Sequence, residues 1–301
     1  MTGAADSGTT TEDDRARAWP AVLGRGAVGV AVAIVIAVAL AFLILPIVAL
    51  ITYQPVGDLI SHFGSEVAVD AIEVSLKTNA IAFALMIALG TPLAHVLARW
   101  RSPARSVVIT LVELPLVMPP AVAGLGLLVA FGRLGLLGQT LDALGIDLAF
   151  SQAAVVMAIV FVASPFYLRG AIAAFEAVDQ TLIDVAGTLG AGPVRRLLRV
   201  AIPLAGGGLG AAAAVAFARG IGEFGATILF AGSFQGRTQT LALAVYSLFD
   251  ANLDQAVAIG VLLIIVSAAI LLTSKLLASS WPTFWTSTSL WPGGRSSFAR
   301  R

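Results

Sequence analysis

The chain has 301 residues, of which 58% are hydrophobic and only 12% are Asp, Glu, Lys or Arg. A soluble globular domain carries about 25% charged residues, so this composition indicates a membrane protein. The formal net charge of +1 gives no reason to expect a nucleic-acid ligand. The chain has no cysteine and only two histidines, His62 and His95. We therefore predict no disulfide, no metal site and no catalytic residues.

Six apolar segments are each long enough to cross the hydrocarbon core of a bilayer, which is about 30 Å thick. They are residues 27–52, 76–98, 106–131, 152–175, 203–231 and 255–278. Continuous apolar segments of this length cross a bilayer only as helices. We therefore predict an all-α membrane protein, a six-span polytopic helical bundle over residues 27–280. A flexible N-terminal tail (1–26) precedes it, and a C-terminal tail (281–301) follows it.

Lysine and arginine residues are distributed unevenly between the two sides of this bundle. Fourteen of the 18 lie in the two tails and in the loops that join spans two to three and four to five. Four of them lie in the predicted loop between spans four and five: Arg169, Arg195, Arg196 and Arg199. Because basic residues accumulate in cytoplasmic loops, we expect both termini and the loop at about 176–202 to be cytoplasmic.

Few side chains within the spans can carry chemistry. A phosphate-binding loop requires a lysine after a glycine pattern, and neither Lys77 nor Lys275 follows one. The spans contain two acids, Glu113 and Glu223. Arg219 lies four residues before Glu223, so the two share a helix face and form a neutralised pair, which is a poor proton relay. The chain therefore does not bind ATP through that motif, and the pair is a plausible structural lock or pathway element.

The loop before the fifth span has the most informative local pattern. Residues Asp179 to Leu189 are predicted to form a short amphipathic helix with Leu182, Val185 and Leu189 on one side. Gly190 can adopt a positive φ and end this helix. Pro193 suits the first turn of a second helix, and Pro203 marks the beginning of the fifth span.

This stretch resembles the EAA motif of bacterial ABC importer permeases, E-A-A-x3-G-x9-I-x-L-P. The spacing matches, with Asp, Val, Val and Ile as replacements, at Asp184, Val185, Ala186, Gly190, Val200, Ile202 and Pro203. The resemblance implies a coupling helix that sits in a groove of a separate ATPase. The residues expected to couple the two chains are Asp184, Ala186, Gly187, Leu189, Gly190, Arg195, Arg196, Val200 and Pro203.

Two further stretches resemble permeases of oxyanion importers, and the molybdate branch most of all. One runs over residues 114–124 and continues through Phe131-Gly132-Arg133 to Gly138, and the other runs over residues 217–227 and continues through residues 236–240. Prolines 115, 119 and 120 are expected to break the third helix, which is tolerated where backbone lines a cavity or is buried in protein. Glycines 220, 222 and 225 permit either close helix packing or a narrow passage. The residues expected to form the translocation path or its gate are Pro119, Pro120, Ala121, Arg219, Glu223 and Thr227.

The resemblance implies a homodimeric permease in the bacterial plasma (inner) membrane, with the path at its two-fold axis. Its implied partners are a dimer of ATP-binding subunits, which hold ATP and Mg, and an extracytoplasmic solute-binding protein. The permease itself would bind no cofactor and would not be an enzyme. Molybdate is the first expected substrate, and sulfate or tungstate is the alternative. Two other classes stay open: an ion-coupled secondary transporter, which needs no ATPase, and a membrane enzyme or assembly factor.

Overall fold

The computed structural model describes residues 13–279, without the side chains of residues 13–27, 274, 275 and 277–279. Over these residues the secondary structure is helical, without β-strands, so the predicted all-α class is confirmed. Residues 1–12 of the expected N-terminal tail, and the whole expected C-terminal tail, lie outside the described residues. The chain divides into two compact units, Met1–Pro55 and Val56–Arg301.

The first unit is a single long helix, α1 (Asp13–Thr52). Its segment Val28–Thr52 has the length and hydropathy of a membrane span, as predicted for residues 27–52. The helix begins before that segment, so residues 13–26 of the expected tail are helical. Alanine, valine, isoleucine and leucine occupy the span on all sides, which is the composition of a helix that faces lipid or other apolar helices.

The second unit holds the rest of the bundle. Its helices are α2 (Val56–Phe63), α3 (Glu66–Arg99), α4 (Ala104–Val117), α5 (Pro120–Phe131), α6 (Gly138–Ala143), α7 (Gln152–Glu176), α8 (Gln180–Thr188), α9 (Pro193–Arg196), a π-helical segment (Leu197–Ala201), α10 (Ile202–Ile221), α11 (Gly225–Phe230), α12 (Leu241–Leu248) and α13 (Leu253–Ser279).

Two of the predicted spans are interrupted. Helices α4 and α5 meet at a bend of 112°, so the third span is broken as expected at Pro119 and Pro120, whereas Pro115 lies inside α4 and does not break it. The prediction of an unbroken fifth span over residues 203–231 is wrong, because α10 ends at Ile221 and α11 is a separate helix. The described residues therefore contain five membrane-length helices, or six spans if the bent pair counts as one.

Helices α3, α7 and α10 form the centre of the second unit. Helices α7 and α10 approach closely because small residues face each other. A Cβ on Gly170 would lie 2.6 Å from the Cβ of Ala212, and one on Gly208 would lie 2.6 Å from the Cβ of Ala174. Small residues permit this backbone approach within a membrane. The hydroxyls of Thr91 and Tyr167 share a buried hydrogen bond of 2.6 Å.

Helix α7 separates the two ends of this unit. Its 25 residues span about 37 Å at 1.5 Å per residue. Near its C-terminus lie the α7–α8 junction and the end of α3, where Arg99 donates to the carbonyl of Phe175. Near its N-terminus lie the loops 132–150 and 231–240, and the N–H of Phe150 donates to the carbonyl of Phe230, the residue just before the second loop. The two groups of loops therefore lie at opposite sides of the membrane-spanning layer.

Candidate functional sites

Helix α8 forms where the sequence predicts a short helix, and its ends have identifiable causes. The Asp179 carboxylate caps the N-terminus by accepting from the backbone N–H of Thr181 at 2.9 Å. This backbone hydrogen bond, followed by one from the Thr181 side chain, holds the pKa of Asp179 below its ordinary value. At the other end Gly190 adopts φ +84°. A residue with a Cβ is strained in that region, so the predicted glycine turn is confirmed.

The two faces of α8 differ in burial. Ile183 is 5% exposed and anchors the helix to the core of the unit. The apolar side chains predicted to share a side are uncovered: Leu182 is 47%, Val185 50% and Leu189 82% exposed. The polar residues Gln180 and Asp184 are hydrogen-bonded to each other along the same helix. An apolar face that a helix does not bury on its own chain is typical of a docking surface.

The second helix of the predicted pair also forms, with Pro193 at its first position. A Cβ on Gly187 would lie 3.1 Å from Nη1 of Arg196, so the glycine leaves space for that guanidinium against α8. Arg195 is exposed. The structure thus brings Gly187 and Arg196 together, as two of the residues expected to couple.

Helix α9, the π-helical segment and α10 run on without a loop from Pro193 to Ile221. Val200 lies in the π-helical segment and packs on the core, and Pro203 lies in the first turn of α10. Pro203 has no N–H to donate to the carbonyl four residues back. Just before it, the N–H of Ile202 donates to the carbonyl of Leu197, five residues back, which is the bond of a π-helix. Pro203 therefore sits inside a continuous rod that joins the α8 region to the membrane.

Two arginines tie the α8 region to the ends of α3 and α7. Arg99 donates to the carbonyls of Phe175 and Val178 at 3.1 Å each. Arg105 donates to the carbonyl of Leu97 at 2.7 Å and pairs with Glu176. Neither contact could be predicted from the sequence, because carbonyl partners on another helix leave no local pattern.

A second candidate site is formed where the two interrupted spans meet, between α5 and α11. A Cβ on Gly225 would lie 2.7 Å from the Cβ of Pro120, and one on Gly124 would lie 2.6 Å from the carbonyl oxygen of Ala226. The sequence left two roles open for these glycines, close helix packing or a narrow passage. Gly225 is closely packed, whereas a Cβ on Gly222 would meet nothing within 4 Å. We call this contact of α5 with α11 the helix-break crossing.

The predicted pair of Arg219 and Glu223 lies at the helix-break crossing. Nη1 of Arg219 is 2.7 Å from Oε2 of Glu223, whose side chain is 1% exposed, against 29% for the arginine. Oε1 of Glu223 accepts from the backbone N–H of Ala226 at 2.8 Å. The carboxylate therefore joins the end of α10 to the start of α11 and is neutralised there.

The other residues expected on the path differ in burial. Pro119, Pro120 and Ala121 are exposed at the start of α5. Thr227 is fully buried, and its hydroxyl has no hydrogen-bond partner within the part of the chain that the structure describes. Three of these residues are thus accessible, and the fourth, on α11, is enclosed.

A second ion pair within the spans was not predicted from the sequence. Nε of Arg169 on α7 lies 3.7 Å from Oε1 of Glu113 on α4, with side chains 73% and 35% exposed. The assignment of Arg169 to a cytoplasmic loop is wrong, because α7 continues to Glu176. Charged side chains at such positions face protein or water rather than lipid. Both acids of the spans are therefore paired.

Among the described residues, no three His, Asp or Glu side chains are placed to hold a metal ion.

Residues 86–279 match the family described as "Binding-protein-dependent transport system inner membrane component". The match covers more than half of the chain. The chain belongs to this family of ABC importer permeases. The permease is thus a multi-pass membrane transport subunit and not an enzyme. This identification agrees with the resemblance of the α8 loop to the EAA motif.

Individual relatives support the assignment. The permease is 42% identical over 234 residues to the "Molybdenum transport system permease protein ModB" of Mycobacterium tuberculosis, which covers 77% of this chain and 88% of that one. It is 30% identical over 242 residues to the "Probable sulfate transport system permease protein cysT" of Nephroselmis olivacea, covering 79% and 85%. A crystal structure of a bacterial ABC transporter involved in alginate import has the same fold, with a TM-score of 0.68 and 18% identity over 87% of this chain and 98% of that one.

Proposed function

We propose that the permease imports an oxyanion, with molybdate as the first candidate and sulfate or tungstate as the alternatives. The observation that carries the proposal is the 42% identity to a molybdenum transport permease over most of both chains. The similarity to a probable sulfate permease, at 30%, keeps sulfate as the second candidate. These anions share a tetrahedral arrangement of oxygens that guanidinium, hydroxyl and backbone N–H groups can bind.

The α8 region is the proposed contact with the ATPase. The exposed apolar side chains Leu182, Val185 and Leu189 would enter a groove of a separate ATP-binding subunit, which would hold ATP and Mg. Because α9 to α10 is one continuous rod, a displacement at α8 would be transmitted into the membrane toward Arg219. Arg99 and Arg105 would transmit it also to α3 and α7 through the bonds described above.

The helix-break crossing is the proposed gate. Broken helices with buried polar groups occur in membranes where backbone lines a cavity or is packed in protein. Here the break exposes Pro119, Pro120 and Ala121, while Arg219 keeps part of its guanidinium accessible. The Arg169–Glu113 pair is exposed, and charged side chains are costly in contact with lipid. We therefore expect a second copy of the permease or an aqueous path beside α4 and α7.

The side of the membrane follows from the same proposal. The α8 region would be cytoplasmic, where ATP is available, so both termini of a six-span chain would be cytoplasmic in a bacterial inner membrane. The loops 132–150 and 231–240, at the other end of α7, would then face an extracytoplasmic solute-binding protein. The ion-coupled alternative loses support, because both acids of the spans are paired.

The test is the ATPase activity of the reconstituted complex of permease, ATPase and binding protein while molybdate, tungstate and sulfate are titrated. Stimulation by molybdate or tungstate, and not by sulfate, is the expected result. Stimulation by sulfate alone would retain the mechanism and replace the substrate. If anion uptake into vesicles proceeds without any ATPase, the proposal is wrong and an ion-coupled carrier takes its place.

A further inference from the structure

The loops at the N-terminal end of α7 line an open cavity of about 410 Å³. The side chains that line it, and that matter for its chemistry, are Arg133, Asp147, Ala149, Phe150, Phe234 and Arg237. Two of them come from the stretches whose sequences resemble oxyanion permeases, Phe131–Gly138 and Gly236–Thr240. The fold thus brings two arginines from distant parts of the chain to one cavity, which we call the two-arginine cavity.

Each arginine is held by a tight turn. After α5 the chain reverses so closely that a Cβ on Gly138 would lie 2.3 Å from the carbonyl oxygen of Arg133. In the other loop Gly236 adopts φ +68°, and the N–H groups of Arg237, Thr238 and Gln239 all donate to the carbonyl of Phe234. The positions of both arginine backbones are therefore fixed by local structure.

The charges in the two-arginine cavity are not balanced. Nη2 of Arg133 is 3.2 Å from Oδ2 of Asp147, and both side chains are largely exposed, at 70% and 75%. Among the side chains that the structure describes, none forms an ion pair with Arg237. The two arginines and one aspartate leave the cavity with one excess positive charge. Asp147 would also repel an anion at close range, which limits the affinity.

The remaining walls are aromatic, and one of them is strained. Phe150 adopts φ +57°, a region that residues with a bulky side chain rarely occupy. Its ring lies 6.4 Å from that of Phe234 in an edge-to-face arrangement. Strain of this kind is maintained where the surrounding structure requires a particular side-chain position, often at a binding site. Here it holds an aromatic ring in the wall of the cavity that Arg133 and Arg237 also line.

We propose that the two-arginine cavity is a low-affinity receiving site for the transported tetrahedral oxyanion, on the opposite side of the membrane from α8. This inference rests on the proposed function and deepens it, because it names the residues that would first bind the anion within the permease. Guanidinium groups bind tetrahedral oxyanions through paired N–H donors. The Asp147 carboxylate and the open surface would keep the anion exchangeable, as transport requires.

Thiol labelling tests the charge selectivity of the cavity in the full-length permease alone. The chain has no cysteine, so Ala149→Cys gives a single reporter in the lining without a change of background. Its rates of reaction with a sulfonate-bearing and a trimethylammonium-bearing methanethiosulfonate are compared. We expect the anionic reagent to be favoured, and the ratio of rates to fall about tenfold when Arg133→Gln and Arg237→Gln are added, since charged clefts concentrate counter-ions by that order.

Three controls make the labelling specific. Gln139→Cys is an exposed reporter on α6 outside the lining, and its ratio should not change with the arginine substitutions. Lys77→Gln removes a positive charge outside the cavity and should leave the Ala149→Cys ratio unchanged. Millimolar molybdate should slow labelling more than chloride at the same ionic strength, and only while both arginines are present, because screening alone affects all reporters. An unchanged ratio, or no protection by molybdate or sulfate, would overturn the proposal.

Uptake measurements with the complete transporter then separate anion binding from protein docking. Arg237→Gln should reduce uptake at saturating loaded binding protein and leave the KM for the binding protein unchanged. A raised KM with normal uptake at saturation would instead assign Arg237 to docking and overturn the receiving site. Because the labelling needs neither ATPase nor transport, a selective, molybdate-protected cavity in a chain without ATP-driven uptake would refute the proposed function and retain the anion site.

Discussion

The helix-break crossing and the α8 region differ in whether their side chains are buried and contacted within the chain. At the crossing, Glu223 is 1% exposed and has partners on both sides of the break, while Gly225 packs on Pro120. At the C-terminal end of α8, the apolar side chain of Leu189 is 82% exposed. The first region is explained by contacts within the chain, and the second is explained only by another molecule.

This difference separates two kinds of sequence constraint. Substitutions at the crossing should act on the stability of the permease, because they remove partners of buried groups. Substitutions on the exposed face of α8 should act on coupling to the ATPase and leave stability nearly unchanged. Each of the following variants tests one side of that distinction.

Glu223→Gln is expected to have the largest effect on stability among the substitutions at the helix-break crossing. It leaves Arg219 without its carboxylate, and breaking a buried pair costs about 3–5 kcal/mol. Because Arg219 keeps 29% of its side chain exposed, the lower value of about 3 kcal/mol is expected. Denaturant unfolding of the purified permease measures it. Glu176→Gln is the matched control: its partner Arg105 is as exposed as Arg219, at 30%, but the Glu176 side chain is 47% exposed, so this pair should contribute less than about 1 kcal/mol.

The double reversal Arg219→Glu with Glu223→Arg sharpens this test. If the pair stabilises by charge complementarity, the double variant should be more stable than either single reversal. A double variant that is no more stable than the single ones would show that the bond from Ala226 to Glu223, and not the pair, is the important interaction.

Gly190→Val should have an intermediate effect. A β-branched residue at φ +84° is strained, and the left-handed region costs about 1–2 kcal/mol for an ordinary residue. The end of α8 should shift, so that ATP hydrolysis continues while uptake falls. Gly192→Val is the control, because Gly192 has φ −65° and open space around its Cα. Equal uptake in the two variants would contradict the role of the turn.

Leu189→Asp should barely change stability and yet reduce coupling. An exposed substitution of this kind changes the free energy of unfolding by about 0.5 kcal/mol or less. Binding of the ATPase, measured by co-purification, should weaken. Ile183→Ala on the opposite face should show the reverse, with about 2–5 kcal/mol of lost stability from its buried site. Co-purification of the ATPase with the Leu189→Asp variant at the normal ratio would show that this face is not the contact.

The sequence was most informative where the chemistry is local. The turn at Gly190 and the break at Pro119 each follow from the backbone preferences of one residue. The break after Ile221 could not be predicted in this way, since glycines are common in intact membrane helices. The pair of Arg169 with Glu113 and the two-arginine cavity join different helices or loops. Their partners are set by packing, which no local pattern records.

The charge of Asp179 should have the smallest effect and should depend on pH. Its folded pKa lies below the ordinary value, so its contribution to α8 is present at neutral pH and is lost as the pH falls through the folded pKa. Asp179→Ala should increase amide hydrogen exchange in the first turn of α8 at neutral pH, because the N–H of Thr181 loses its acceptor. Asp179→Asn retains an acceptor for the cap and should differ little from the parent at neutral pH, without the acid-dependent loss. If Asp179→Ala exchanges no faster than the parent, α8 is held by Ile183 alone, and the contrast between its buried and exposed faces becomes the sole determinant of its position.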